Sequence, residues 1–365
     1  MLTKLALIAA LCAPGLFAGF GYRRTLTIDH TKIGATDNIN FPVLVSLTDI
    51  SFRTVANGGR VTNANGYDLV FFSDFGLTAK LDFEIEIYSA TTGAIVMWVR
   101  VPTVSHTVDT AIYMGYGNAA IGASEENKTG VWDTNFVAVY HLPNGSVVTA
   151  NDSTGNALNG TITGSSASTG KIDGAITINS ATDKVVATGG GFTGPVTMDA
   201  WVNPTALNYG AIVSNSNAGT ASRNYIMMFT ANPDYLFADC GGSGLTALLL
   251  SSPLTLNVWT HLAVTCDGTN WKVFMNGAAV NTTANSNVPN SSGNTIYIGQ
   301  EGNTADNYTG TIDEVRISNS ARSADWILSE YNNLNAPTTF AVLGAEVVVE
   351  TSATPVRSMN KVFIL

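Results

Sequence analysis

Charge is scarce in this chain. Only 12% of its 365 residues are Asp, Glu, Lys or Arg, well under the ordinary share of about 25%. Lys and Arg number 17 against 27 acids, giving a net charge of −10. No basic cluster stands anywhere, so nucleic-acid binding, which needs grouped cations to neutralise phosphates, is excluded. Attraction to anionic membrane surfaces is disfavoured for the same reason. Histidine is rarer still: His30, His106, His141 and His261 stand far apart, with no H-E-x-x-H pair or cysteine partner to complete a zinc motif. There is no G-x-S-x-G elbow. "GSSASTGKID" (164–173) misses the phosphate-loop spacing by one residue, and Ile172 stands where that motif needs Ser or Thr. No apolar run approaches the ~20 residues of a spanning helix.

Apolar residues are plentiful at 45%, glycine numbers 35, and Asn, Thr and Ser crowd between short apolar runs. That mixture suits many short strands joined by turns and suits helices poorly. The opening "MLTKLALIAALCAPGLFAGF" reads as a signal peptide (1–18): Lys4, a short apolar stretch, and a small-residue exit before Gly19. Export to the cell surface or beyond follows as the expectation. Of three cysteines, Cys12 leaves with the signal, and the remaining pair, Cys240 and Cys266, fits one disulfide in an exported protein. Two separate buried thiols are the alternative.

Strand patterns run through 19–125: "YRRTLTID", "NFPVLVSLTD", "GYDLVFFSD", "KLDFEIEIYS", "AIVMWVRVP" and "TAIYMGYGN". A linker is expected at 126–130, a longer β region at 131–345 and a tail at 346–365. One mature helix stands out, "SADWILSEY", with Ser323 as its cap and Trp326 and Ile327 on one side to dock on a sheet. The tail holds two apolar runs, Val347–Val349 and Val362–Leu365, and reads as a terminal strand with a frayed end, or as a segment that adds to another sheet.

"VTMDAWVNP", "NVWTHLAVTCDGTNWKVFMNG" and "YTGTIDEVRISNSARSADWILSEY" resemble the core strand, central hairpin and closing strands of laminin-G-like, concanavalin A-like jelly rolls. The hairpin alternates independently of that likeness, Leu262, Val264 and Cys266 against Ala263 and Thr265, and Asp267-Gly268 is a strong turn signal. The strands of 20–125 resemble a bacterial domain of unknown function that precedes such jelly rolls. The expected fold class is all-β: an N-terminal β-sandwich followed by a concanavalin A-like jelly-roll β-sandwich.

The resemblance implies a noncatalytic protein that binds a glycan or cell-surface ligand through loops. Tyr209, Arg223, Asn224, Tyr225 and Tyr308 are the candidate contacts, because aromatic faces and planar polar groups grip sugars. It also implies one structural Ca²⁺ shared by Asp152, in the loop "NDSTGNALNGT", and Asp313 of "GTIDEVRI", against an Asx-turn and a salt bridge as the ordinary readings. Two other functions are weighed: a subunit of a surface layer, fibre or appendage that self-associates through the C-terminal tail, and a glycoside hydrolase. For the last, Glu84 and Glu86 share one strand face about 6.5–7 Å apart, near an inverting pair's separation. The third acid of the glucanase strand motif falls on Ser89, however, and a solvated strand face is the expectation for both glutamates. Asp313 and Glu314 are adjacent and are expected on opposite faces of their strand.

Overall fold

The computed structural model describes residues 19–143, 148–216, 223–242, 244–291, 295–302 and 306–349. The expected signal peptide and residues 350–365 of the expected tail lie outside the described residues.

The strands of the first region build two sheets, and Val70–Phe72 and the middle stretches of Asn38–Thr48 and Ala94–Val104 are buried on both faces. One sheet is ordered Ala341–Leu343, Tyr22–Ile28, Thr110–Tyr116, Val70–Phe72, with Val347–Val348 also pairing to Tyr22–Ile28. The other holds Asn38–Thr48, Ala94–Val104 and Phe83–Tyr88. Phe83 faces Val99 across this second sheet and packs on Phe71 of the first at 5.6 Å between rings, inside a shared apolar core.

Residues 341–348 cross the expected boundary at 345. Val342 lies opposite Thr27, and Val348 opposite Tyr22. Residues 341–348 thus return to the first region and cover its Tyr22–Ile28 edge, whose N–H and C=O groups would otherwise be unpaired. The expected linker is docked as well: Glu126 accepts the Ile85 N–H at 2.9 Å, and Lys128–Val131 forms one helical turn.

The second region is a sandwich of an eight-stranded and a seven-stranded antiparallel sheet. Met198, Ala200, Val202, Leu262, Val264, Val315 and Ile317 from one sheet meet Ile212, Tyr225, Met227, Leu236 and Ala238 from the other in its core. Cys240 and Cys266 form the expected disulfide across the two sheets. The Asn276-Gly277 turn has both residues at positive φ, 50° and 80°, the backbone that this dipeptide adopts most readily.

Helix Ala324–Asn335 starts at Ser323, whose hydroxyl accepts the Trp326 N–H at 3.1 Å. Trp326 and Ile327 dock on a sheet, as expected, and the sheet is that of the first region: Trp326 meets Phe41 edge-on at 4.9 Å. Asn333 clamps the same strand, accepting the Leu44 N–H at 2.7 Å and donating to its carbonyl at 3.0 Å.

The outer face of the eight-stranded sheet carries Asp199, Trp201, His261, Ala263, Phe274 and Arg316, the neighbours of the core residues along each strand. All six are buried, because the helix and the three-stranded sheet of the first region cover them. The three-stranded sheet is therefore a middle layer, with Phe83 and Val99 facing the first core and Glu84 and Trp98 facing the jelly-roll side.

Candidate functional site

Two places on the molecule gather chemistry. The first is the seam just described. Strand parity puts Glu84 and Glu86 on the polar side of "LDFEIEIY", as expected, but that side is not wet. Their side chains are 4% and 3% exposed. This corrects the expected solvated face: the second region lies against it and excludes water. Glu84 accepts the Trp132 indole N–H at 2.9 Å and the Ser153 hydroxyl at 2.8 Å, with Lys128 Nζ at 3.2 Å. Glu86 accepts the Trp98 indole N–H at 2.7 Å. It stands at a register shift between Ile85 and Ile87, a bulge that re-aims its side chain.

His141 lies among these acids. Its Nδ1 is 3.0 and 3.1 Å from the two Glu314 oxygens and 3.8 Å from Glu86, while Nε2 is 3.5 Å from Glu84. The ring stacks on Trp98 at 4.9 Å. Glu314 reaches this face because a second bulge, at which it adopts φ 50°, inserts one residue opposite the Asp199–Trp201 stretch. Asp313, paired with Trp201, and Glu314 consequently share the outer face, contrary to the expected opposition. Arg316 bonds both Glu314, at 2.7 Å, and Glu330 of the helix.

Electrostatics follow from this crowding. Burial pushes Glu84 up, but His141, Lys128 and the Trp132 indole outweigh it and hold the carboxyl at about 2. Burial pushes Glu86 well above the ordinary carboxylate range, against the pull of His141, with Glu314 adding to the rise. Burial would lower His141, yet Glu314, Glu86 and Glu84 hold it well above an ordinary histidine. Deeper in the seam, burial raises Asp199 to about 7 and lowers His261 to about 4. A cavity of about 110 Å³ opens on the cluster, lined by Glu84, Glu86, Lys128, His141 and Ser153 among others.

The second place is on the outer face of the seven-stranded sheet. A wider cavity of about 430 Å³ is lined by Tyr209, Thr230, Ala231, Asn232, Tyr235, Phe237 and Ala247. Tyr209 is 51% exposed, and its ring stands 6.0 Å from Phe237. Leu236, Ala238 and Cys240 fill the core, so Tyr235 and Phe237, at the alternate positions, face outward. The alternation of "YLFADC" holds that signal, and neither aromatic was among the candidate contacts.

Of the five candidate ligand contacts, only Tyr209 is open. Arg223 is buried in a two-pronged ion pair with Glu301, at 2.5 and 2.9 Å. Asn224 is buried and holds the backbone of 290–291, accepting both N–H groups. Tyr225 and Tyr308 are core residues whose hydroxyls donate to the carbonyls of Gly190 and Thr311. Four of the five are thus scaffold: Arg223, Asn224 and Tyr225 lie on strand Arg223–Phe229, and Tyr308 is buried just ahead of strand Gly310–Ser318.

Both candidate calcium ligands are engaged by backbone amides. Asp152 accepts the N–H groups of Val139, Thr154 and Leu158 and the Thr154 hydroxyl, an Asx arrangement that shapes its own loop. Asp313 accepts the N–H groups of Lys171 and Ile172, and burial raises it well above the usual carboxylate range. Clusters of a histidine and two acids with converging atoms occur instead at Glu86–His141–Glu314, at Asp199–His261–Glu330 and at Asp29–His30–Asp109.

Comparison with known proteins assigns the folds. Residues 173–328 match the concanavalin A-like lectin/glucanases superfamily. Residues 65–140 match a domain of unknown function, DUF2341. The jelly roll with a preceding β-sandwich is therefore the architecture, in the expected order. No curated protein matches the chain. Among solved structures, domain 4 of an extracellular GH43 arabinanase from Geobacillus stearothermophilus, in complex with arabinotriose, is 22% identical over 54% of this chain and 98% of that one, with a TM-score of 0.45. The binding domain of Paraclostridial Mosquitocidal Protein 1 is 16% identical, covering 55% of this chain and 52% of that one, at 0.43. A heptameric SAP-like pentraxin from Limulus polyphemus is 19% identical over 37% of this chain and 69% of that one, at 0.34.

Proposed function

We propose that this chain is a noncatalytic, exported binding protein that takes a glycan or another surface ligand in the aromatic cavity of its seven-stranded sheet. The observation that carries this reading is the cavity itself. Its roughly 430 Å³ lies within the range of small-ligand sites, about 300–1,000 Å³. Two tyrosines and a phenylalanine supply flat apolar faces, with Tyr235 and Phe237 on a strand held by the core beneath, and the turn of Thr230 and Asn232 forms a polar rim. The disulfide accords with an oxidising compartment. The buried acids do not favour a hydrolase, since the cavity beside Glu84 and Glu86 is about 110 Å³, too small to seat a sugar chain across a carboxylate pair.

The test is retention on a glycan array by the mature chain, beside Tyr209→Ala and Phe237→Ala. Saturable retention by the wild type that falls at least tenfold in both variants supports the reading. Undiminished retention in both places the ligand elsewhere. Release of reducing sugar that is abolished by Glu84→Gln would replace binding with hydrolysis.

A further inference from the structure

We propose that Glu86, His141 and Glu314 form a binding site for one divalent transition-metal ion, of the zinc class, at the seam between the two sandwiches. Three separate segments deliver the ligands. Glu86 comes from the bulge in Phe83–Tyr88, His141 follows strand Phe136–Tyr140 directly, and Glu314 comes from the bulge in Gly310–Ser318. Two strands each depart from regular pairing at the residue that points here.

Distances fit such an ion. One ligand atom from each residue lies within 4.8 Å of the other two. His141 Nδ1 stands 3.0 Å from Glu314 and 3.8 Å from Glu86. Tetrahedral zinc, with bonds of about 2.0–2.2 Å, sets its ligand atoms roughly 3.3–3.5 Å apart. The observed separations bracket that edge, so small side-chain adjustments complete the geometry.

A second observation, independent of the clustering, also points to a ligand. Glu86 Oε1 is buried and accepts no hydrogen bond from the chain. The Glu86 and His141 side chains are 3% and 4% exposed. An acceptor removed from water without a partner is costly, the more so for a charged group. Glu84, 3.5 Å from His141 Nε2, stands where an outer carboxylate orients a metal-bound imidazole.

Glu84, Glu86, Glu314 and Glu330 gather at this end of the seam beside Lys128 and Arg316. An imidazole nitrogen among carboxylates suits zinc or manganese better than calcium, which favours six to eight oxygens. The 110 Å³ cavity beside Glu86 and His141 supplies an entry path and room for a water as fourth ligand. The similar Asp199–His261–Glu330 cluster lines none of the described cavities.

The experiment uses the untagged mature chain, stripped with chelator, then titrated with ZnCl₂ and separately with CoCl₂. Expected are one zinc per chain by calorimetry and by elemental analysis after gel filtration, and visible cobalt d–d absorption from a nitrogen-containing, low-coordinate site. Glu86→Gln keeps the shape and the Trp98 bond acceptor. It should weaken zinc at least tenfold with an unchanged circular dichroism spectrum, and His141→Ala should abolish the cobalt bands. Absence of stoichiometric zinc overturns the proposal. So does wild-type zinc affinity in Glu86→Gln, zinc that is lost in Asp199→Asn while kept in Glu86→Gln, or a preference for calcium over zinc.

Discussion

Asp199 and His261 share a dry site where each resists the charge it would carry in water. Arg316 and Arg322 draw Asp199 toward ionisation and Glu314 opposes, but burial dominates and leaves its pKa near 7. His261, opposed by burial and Arg316 and favoured by Glu330, sits near 4. The consequences for stability have opposite signs. Between about pH 4 and 6.5 the unfolded chain protonates His261 and the folded one does not, so this residue makes stability rise with pH. Asp199 is protonated when folded and ionised when unfolded between about 3.8 and 7, so it makes stability fall with pH. In the wild type the two nearly cancel from pH 4 to 6.5. Asp199→Asn removes one side, and the variant should gain about 3 kcal/mol relative to the wild type across that window. Urea midpoints at pH 4.5, 5.5 and 6.5 measure this, and parallel curves for the two proteins would refute it. None of this was visible in the sequence, where His261 stood only as one of four scattered histidines outside any zinc motif. Its neighbour Glu330 lies on a helix 69 positions away, and no local pattern encodes that meeting.

Elements were the most legible level. Period-two alternation identified the apolar faces of Phe83–Tyr88 and Thr260–Cys266 correctly, since side chains of a strand must alternate whatever lies beyond them. What alternation cannot report is whether the polar face meets water or another layer, and so Glu84 was read as wet. It also fails at bulges, where one added residue reverses the parity, as at Glu314. The helix was readable from Ser323 onward because its cap and apolar stripe are local. Its other task was not: Asn333 spans 289 positions to satisfy both backbone groups of Leu44. Asn333→Ala leaves that buried pair unmet and should cost about 1–3 kcal/mol in unfolding free energy. Asn335→Ala, whose side chain accepts from Lys171 in an exposed hydrogen bond, should cost under about 0.5 kcal/mol. Equal losses would contradict the clamp. The Cys240–Cys266 bridge closes a loop of 26 residues, and removing it as a Ser pair should cost about 3 kcal/mol. An unchanged thermal midpoint in the double variant would contradict that.

At the scale of the molecule, the two sandwiches are joined by more than a linker. The chain leaves the first, builds the second, and returns through Ala324–Asn335 and residues 341–348 to complete the first. Trp201, Ala263 and Phe274 of the jelly roll belong to the same apolar cluster as Phe41, Trp98 and Trp326. Two-domain order was readable because each region carries its own run of strand patterns. The return was not, because a three-residue strand such as Ala341–Leu343 carries too little pattern to name its partner. The central claim is that the first sandwich seals the jelly roll's charged outer face, so that neither folds fully without the other. Scanning calorimetry of residues 19–365 tests it most directly. Burial on both sides of the seam predicts one transition with equal calorimetric and van't Hoff enthalpies, shifted as a whole by Asn333→Ala. Two separated transitions, with only the earlier one moved by that substitution, would contradict it.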